Sequence, residues 1–221
     1  MMTEPMAMGL RSFVALPVEK NGGVIRLFYQ RTTDTDMFAT SAAYGLSAEQ
    51  TLLLGLSYLS SGENNRRGDT SVLYRHIFWK DDSLAGTNRL GFLGGVIIPE
   101  DKDQKVTPQA GLVFTHFKDR YEIDFDTLYQ ASTKNRTANA RYDLSWQYRL
   151  SPAVRPDWGL ATELNSVLEL NGNWSEGNNT THQITGGLQW VSAEWIIEGG
   201  LVKDLNNQYE LRSVLSTRFH F

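Results

Sequence analysis

In the stretch RYEIDFDTLYQ three carboxylates, Glu122, Asp124 and Asp126, fall at every second position, and TANARYDLSWQYRL places Arg141, Asp143 and Arg149 in the same phase. Arg26, Glu163, Glu169, Glu198, Glu210, Arg212 and Arg218 keep this two-residue spacing in their own segments. Such a period puts all of them on one face of extended strands, where opposite charges on neighbouring strands pair. The chemistry open to this set is electrostatic. It is either a lattice of ion pairs that stiffens a wall or a polar path that orients a small solute.

Groups suited to covalent chemistry are thinly placed. His76, His116, His182 and His220 stand in separate segments, and the chain has neither HExxH nor GxSxG. A hydrolase built on a barrel needs Ser and His together at one rim, and the groups open to that role are His182 with Ser192, or His116 as a base. The chain has no cysteine, which excludes disulfides, thiolate metal sites and cysteine nucleophiles. Met1, Met2, Met6 and Met8 crowd together, but with no His or Cys beside them they read as composition rather than a soft copper site. No metal, cofactor or catalytic residue is expected. A net charge of −4 without a basic stripe argues against nucleic acid. The NRT, NWS and NNT triplets read as turn residues.

The elements that carry these charges are strands. Ala138, Ala140, Tyr142, Leu144, Trp146, Tyr148 and Leu150 alternate with the polar set of their segment, and Tyr121, Ile123, Phe125 and Tyr129 alternate with theirs. Turn clusters divide the chain into twelve strands, near 23–32, 36–46, 50–60, 69–79, 88–98, 107–117, 120–131, 137–149, 158–170, 181–191, 194–203 and 208–221. Most exceed the five or six residues usual in globular sheets and approach the length that crosses a bilayer at a tilt. Longer polar connections (SGENNRRGD, PEDKDQ, STKNRT, NGNWSEGNN) fall at one end, and short turns at the other, with KDDSLAG and SPAVRPD as exceptions.

Alternation alone leaves open which face is inside. In a soluble β-sandwich the apolar face is buried; in a membrane barrel the arrangement is reversed. Aromatics near both ends of one face, such as Tyr121 and Tyr129, favour the membrane, as does the even strand count. Twelve strands at about 4.8 Å spacing and about 40° tilt close to a cylinder roughly 24 Å across, which polar groups and water fill more readily than apolar side chains. No apolar run reaches the roughly 20 residues of a membrane helix. The expected fold is therefore all-β: an antiparallel transmembrane β-barrel of about 12 strands over residues 23–221, preceded by a leader, residues 1–22. That leader lacks the basic and apolar regions of a secretion signal, so an exported protein would carry its signal before this numbering. Its FVALP is too apolar to float freely, and it either plugs the lumen or lies beneath the barrel.

The closing stretch, YELRSVLSTRFHF, ends an alternating strand on Phe221. It resembles the C-terminal signature of Gram-negative outer-membrane barrels. That resemblance implies an outer-membrane location and recognition by the barrel-assembly machinery through Tyr209, Leu211, Leu215, Phe219 and Phe221. In order along the chain, ALPVEKNGGVIRLFYQRT, YGLSAEQTLLLGLSYL, GDTSVLYRHIFW, GFLGGVIIPEDKD and GGLQWVSAEWIIEGGLVKDL resemble the transporter family named for the meta pathway of phenol degradation. The similarity covers most of residues 15–221, with one departure: Glu100 and Asp101 follow the proline where a small residue and glycine are expected. It implies a non-enzymatic barrel in contact with outer-membrane lipid that passes a small hydrophobic or aromatic solute by passive diffusion.

Overall fold

Strands that alternate this strictly bury one face only by wrapping it around an interior, and in lipid they must also leave no unpaired edge. The computed structural model describes residues 10–15, 18–32, 36–61, 64–154, 162–206 and 211–221. Its strands are β1 (Gly23–Arg31), β2 (Asp36–Gly45), β3 (Gln50–Ser61), β4 (Asn64–Ser83), β5 (Gly86–Ile98), β6 (Thr107–Lys118), β7 (Tyr121–Gln130), β8 (Asn139–Ser151), β9 (Thr162–Ser175), β10 (Thr181–Ser192), β11 (Trp195–Asp204) and β12 (Leu211–His220). Each pairs antiparallel with its sequence neighbours, and β1 pairs with β12, so the sheet closes into a twelve-stranded barrel. There is no helix among the described residues.

The seam is made by the two ends of the barrel domain. Val24 lies opposite His220 and Arg31 opposite Ser213. Beyond that ladder Gly23 N–H donates to the carbonyl of Phe221, and Phe221 N–H donates back to Gly23. A side chain at position 23 would start 2.4 Å from the Phe221 ring, so the glycine makes room for the terminal aromatic.

The faces are sorted with polar groups inside. Leu27, Leu188, Leu201 and Leu215 point outward and are each more than half exposed, while Asp124, Asp126, Glu198 and Arg218 point inward and are buried. Outward aromatics gather toward both rims. Tyr29 packs against Phe38, ring on tilted ring, at the rim away from the chain ends, and Trp195 packs the same way on Phe219 near Phe221. This surface suits hydrocarbon with an aromatic girdle at each interface.

Two strands, β4 and β9, depart most from the boundaries the pattern suggests. β4 begins at Asn64 and ends at Ser83, because NNRRGD pairs with the end of β3 and KDDS pairs with the start of β5. Its register shifts twice, between Leu56 and Tyr58 on the β3 side and between Ile77 and Trp79 on the β5 side. The apolar period marks only the belt in contact with lipid, whereas hydrogen bonding continues beyond it into water. KDDSLAG accordingly shrinks to a turn at Leu84 and Ala85, and ceases to be an exception among the short turns. β9 is likewise displaced, running from Thr162 to Ser175. Asn135 of the NRT triplet takes a left-handed backbone (φ 62°) in the β7–β8 connection, as a turn asparagine does.

Leu168 lies mid-strand on the outer face of β9. Leu168→Arg is expected to lower the unfolding free energy in lipid vesicles by about 2–4 kcal/mol, measured by denaturant titration. An unchanged midpoint would mean that this face does not meet lipid.

Candidate functional site: the lumen and the segment within it

The inward residues form two sectors. One, spanning β7 to β12 and β1, is charged. Glu198 on β11 receives Arg26 from β1 at 2.7 Å and Arg218 from β12 at 3.0 Å, with the Gln189 amide donating to its other oxygen side at 3.0 Å. Arg141 on β8 reaches Asp143 at 3.0 Å and Asp126 on β7 at 3.5 Å. Asp143 also accepts from Asn171 at 2.6 Å, which in turn accepts from Thr185 at 2.9 Å. Asp124 accepts from Thr115 at 2.6 Å and from Gln147 at 2.9 Å, and Glu122 lies within 3.4 Å of the same amide. Arg149 pairs with Glu163 at 3.6 Å and Arg212 with Asp204 at 2.6 Å. Glu169 turns away from the wall's cations and toward the leader. Buried charges hold in such a place only when nearly every lone pair and proton has a partner.

The other sector is apolar. Leu73, Ile77, Leu93, Val113 and Leu128 are buried together inside the barrel with Leu53 beside them. Here the expectation that apolar side chains do not readily fill the cylinder is corrected. They need not fill it alone, because a piece of the chain fills the space between.

Residues Leu10–Ala15 lie inside the lumen. Leu10, Ser12, Val14 and Ala15 are buried, and Ala15 and Phe13 complete the apolar cluster. The extended segment has no strand neighbour, so wall side chains satisfy its backbone. Arg11 N–H donates to Glu169 at 3.1 Å, Phe13 N–H to Asp126 at 2.7 Å, and Ala15 N–H to the Thr115 hydroxyl at 2.9 Å. The Ser12 hydroxyl adds a 3.3 Å bond to Glu169. In the opposite sense, the guanidinium groups of Arg26 and Arg75 donate to the carbonyls of Leu10 and Val14. The Arg11 side chain reaches Gln183 at 2.5 Å, and Arg141 lies 4.7 Å over the Phe13 ring. Gly187 and Gly200 face each other across β10 and β11, and a side chain on either would press on Leu10, at 2.8 and 3.1 Å. The wall thus carries a socket for the leader's first described residue.

Of the residues singled out by alternation, Arg26, Glu122, Asp124, Asp126, Arg141, Asp143, Arg149, Glu163, Glu169, Glu198, Arg212 and Arg218 all project into this interior. Glu210 lies outside the described residues. Sequence reasoning missed Arg75, which sits between Leu73 and Ile77 on the inner face of β4 and donates to Thr51 at 3.0 Å as well as to Val14. Its neighbours in phase are apolar, so it carried no signal of a polar face. Leu211, Leu215 and Phe219 project outward on β12, with Phe221 just beyond; Tyr209 lies outside the described residues.

The suggested pairing of His182 with Ser192 is corrected. Both lie on β10, ten residues apart at its two ends, which separates them by roughly 33 Å of strand. His182 instead shares a 2.8 Å hydrogen bond with Tyr142 on the outer face, and the Ser192 hydroxyl bonds Trp195 across a turn. His116 shares a 2.8 Å hydrogen bond with Asn88.

No protein-family model matches the chain, and no curated protein matches it. Among solved structures it is similar to the KdgM porin, with a TM-score of 0.60 and 9% identity over 90% of this chain and 99% of that one. It is also similar to an outer membrane channel from Pseudomonas putida F1, with a TM-score of 0.58 and 14% identity over 96% and 98% of the two chains. The NanC porin follows at 0.57 and 10% identity, over 89% and 98%. The likeness is one of fold: a closed antiparallel barrel of the kind found in outer-membrane porins and channels.

Glu198→Ala leaves Arg26 and Arg218 facing each other without their shared carboxylate. It is expected to destabilise the barrel by about 3–5 kcal/mol, read as a fall in the denaturant midpoint. Full stability in the variant would mean that the pair is hydrated in the folded protein.

Proposed function

We propose that the chain is an outer-membrane channel through which a small molecule passes by passive diffusion, and that the leader closes it. The observation that carries this reading is a lumen whose wall is apolar outside and, over β7 to β12 and β1, charged inside, with a separate segment of the chain, rather than wall side chains alone, filling the space between. A barrel meant only as a structural shell has no need of a removable filling. Hydrolysis would need a nucleophile and base at one rim, and the pair the sequence offered lies at two.

Lipid is the partner of the outer face, and the alternating outward residues of β12 with the terminal Phe221 suit recognition by the assembly machinery that inserts such barrels. Membership in the family named for the meta pathway of phenol degradation is the finer reading. The ordered segments support it. The KdgM porin has also been solved in complex with disordered oligogalacturonate, and a small solute is the corresponding partner for this lumen.

The test is solute flux into liposomes carrying the full chain or a form lacking residues 1–20. Removing the leader is expected to raise the flux of small solutes roughly tenfold or more, while leaving the barrel's heat-dependent gel mobility intact. Equal, negligible flux from both forms, with mobility retained, would refute the channel and favour a closed structural barrel.

A further inference from the structure

Above the leader, at the rim away from the chain ends, the wall of β7 to β10 opens into a cavity of about 680 Å³, within the roughly 300–1,000 Å³ of small-molecule sites. Its lining departs from the rest of the lumen. Among the described residues no carboxylate lines it, and its one cation, Arg141, is already paired with Asp143 and Asp126. What remains is amide and hydroxyl. Gln130, Asn173, Asn178, Asn179 and Thr181 line the space, and among the described residues their side chains make no hydrogen bond within the protein.

The frame behind them is held. Asn206 accepts from the His182 N–H at 2.8 Å and donates to the Thr180 carbonyl at 2.7 Å, which ties the β9–β10 connection to the end of β11. The mouth is therefore braced, electrically balanced and rich in groups that donate and accept together.

We propose that this vestibule binds a neutral, hydroxyl-rich ring solute of oligosaccharide size. A hydroxyl both donates and accepts, so it pairs with a side-chain amide from either end, and a row of amides matches a row of hydroxyls. Among the described residues the cavity offers a carboxylate no unpaired cation and offers an ammonium no anion, so charged analogues gain nothing from them and lose hydration. An aromatic ring with one hydroxyl would leave most of the amides unmet. This assignment rests on the channel reading for its biological route, but the binding itself does not depend on flux, and it departs from the aromatic cargo that the family resemblance implies.

Calorimetric titration of the full chain, in a detergent without a sugar headgroup, uses maltotriose, glucuronate and phenol as probes. Maltotriose is expected to bind, and to do so more tightly than either of the others. The double variant Asn173→Ala, Asn179→Ala is expected to weaken it roughly tenfold with heat-dependent mobility retained. If that variant does not fold, Asn179→Ala alone, in the loop, is expected to weaken it by a smaller measurable factor. Absence of maltotriose binding, tighter binding of glucuronate or phenol, or unchanged affinity in folded variants would overturn the proposal. Binding without flux through the leaderless form would refute the channel and leave the vestibule standing; flux without binding would do the reverse.

Discussion

A backbone amide in hydrocarbon finds no water, so each strand of this barrel must find both its neighbours within the chain. Closure of β1 on β12 meets that requirement, and the rest of the molecule follows from it. Joining Gly23 to Phe221 sets the circumference at twelve strands, and the circumference sets a lumen too wide for facing side chains alone to fill. The residues that face inward are therefore in a position to hold charge, because water or polar partners can reach them. Those that face outward have no such choice, and the large ones are mainly Leu, Ile and aromatic.

Charges held this deep impose a second requirement. Arg26, Arg75, Asp126 and Glu169 each spend part of their hydrogen-bonding capacity on the leader's backbone. Ordering six residues costs about 6–12 kcal/mol in backbone entropy, and four bonds to ionised groups return about the same. Burial of Leu10 and Val14, about 1.5–3 kcal/mol each, then sets a margin of a few kcal/mol. On the channel reading proposed above, a segment held by so small a margin would be withdrawn without unfolding the barrel around it, and its departure would expose these groups to water.

The barrel was legible in the sequence because its pattern is strict where lipid is in contact. Tyr121 to Phe125 and Ala140 to Leu150 alternate without a break, and the charged residues in between project inward. Legibility failed where the pattern's cause is absent. The ends of β4 lie beyond the lipid belt, so Asn64–Arg67 and Lys80–Ser83 pair as strands although their sequence is polar and reads as loop. Arg75 hides among inward-facing leucine and isoleucine. The vestibule was invisible for a different reason, since Asn173 and Asn179 look like ordinary turn residues until the fold gathers them with Gln130 and Thr181 around one space.

The leader lies in the lumen, held there by charged side chains of the wall. The chain has no cysteine, so a single Ser12→Cys gives a clean reporter, with Leu84→Cys at a fully exposed turn as reference. With a water-soluble maleimide in lipid vesicles, position 12 is predicted to react at least roughly tenfold more slowly than position 84. It should approach the reference rate once Asp126→Ala and Glu169→Ala remove the acceptors for Phe13 and Arg11. Equal rates at both positions in the otherwise unaltered barrel would contradict the account.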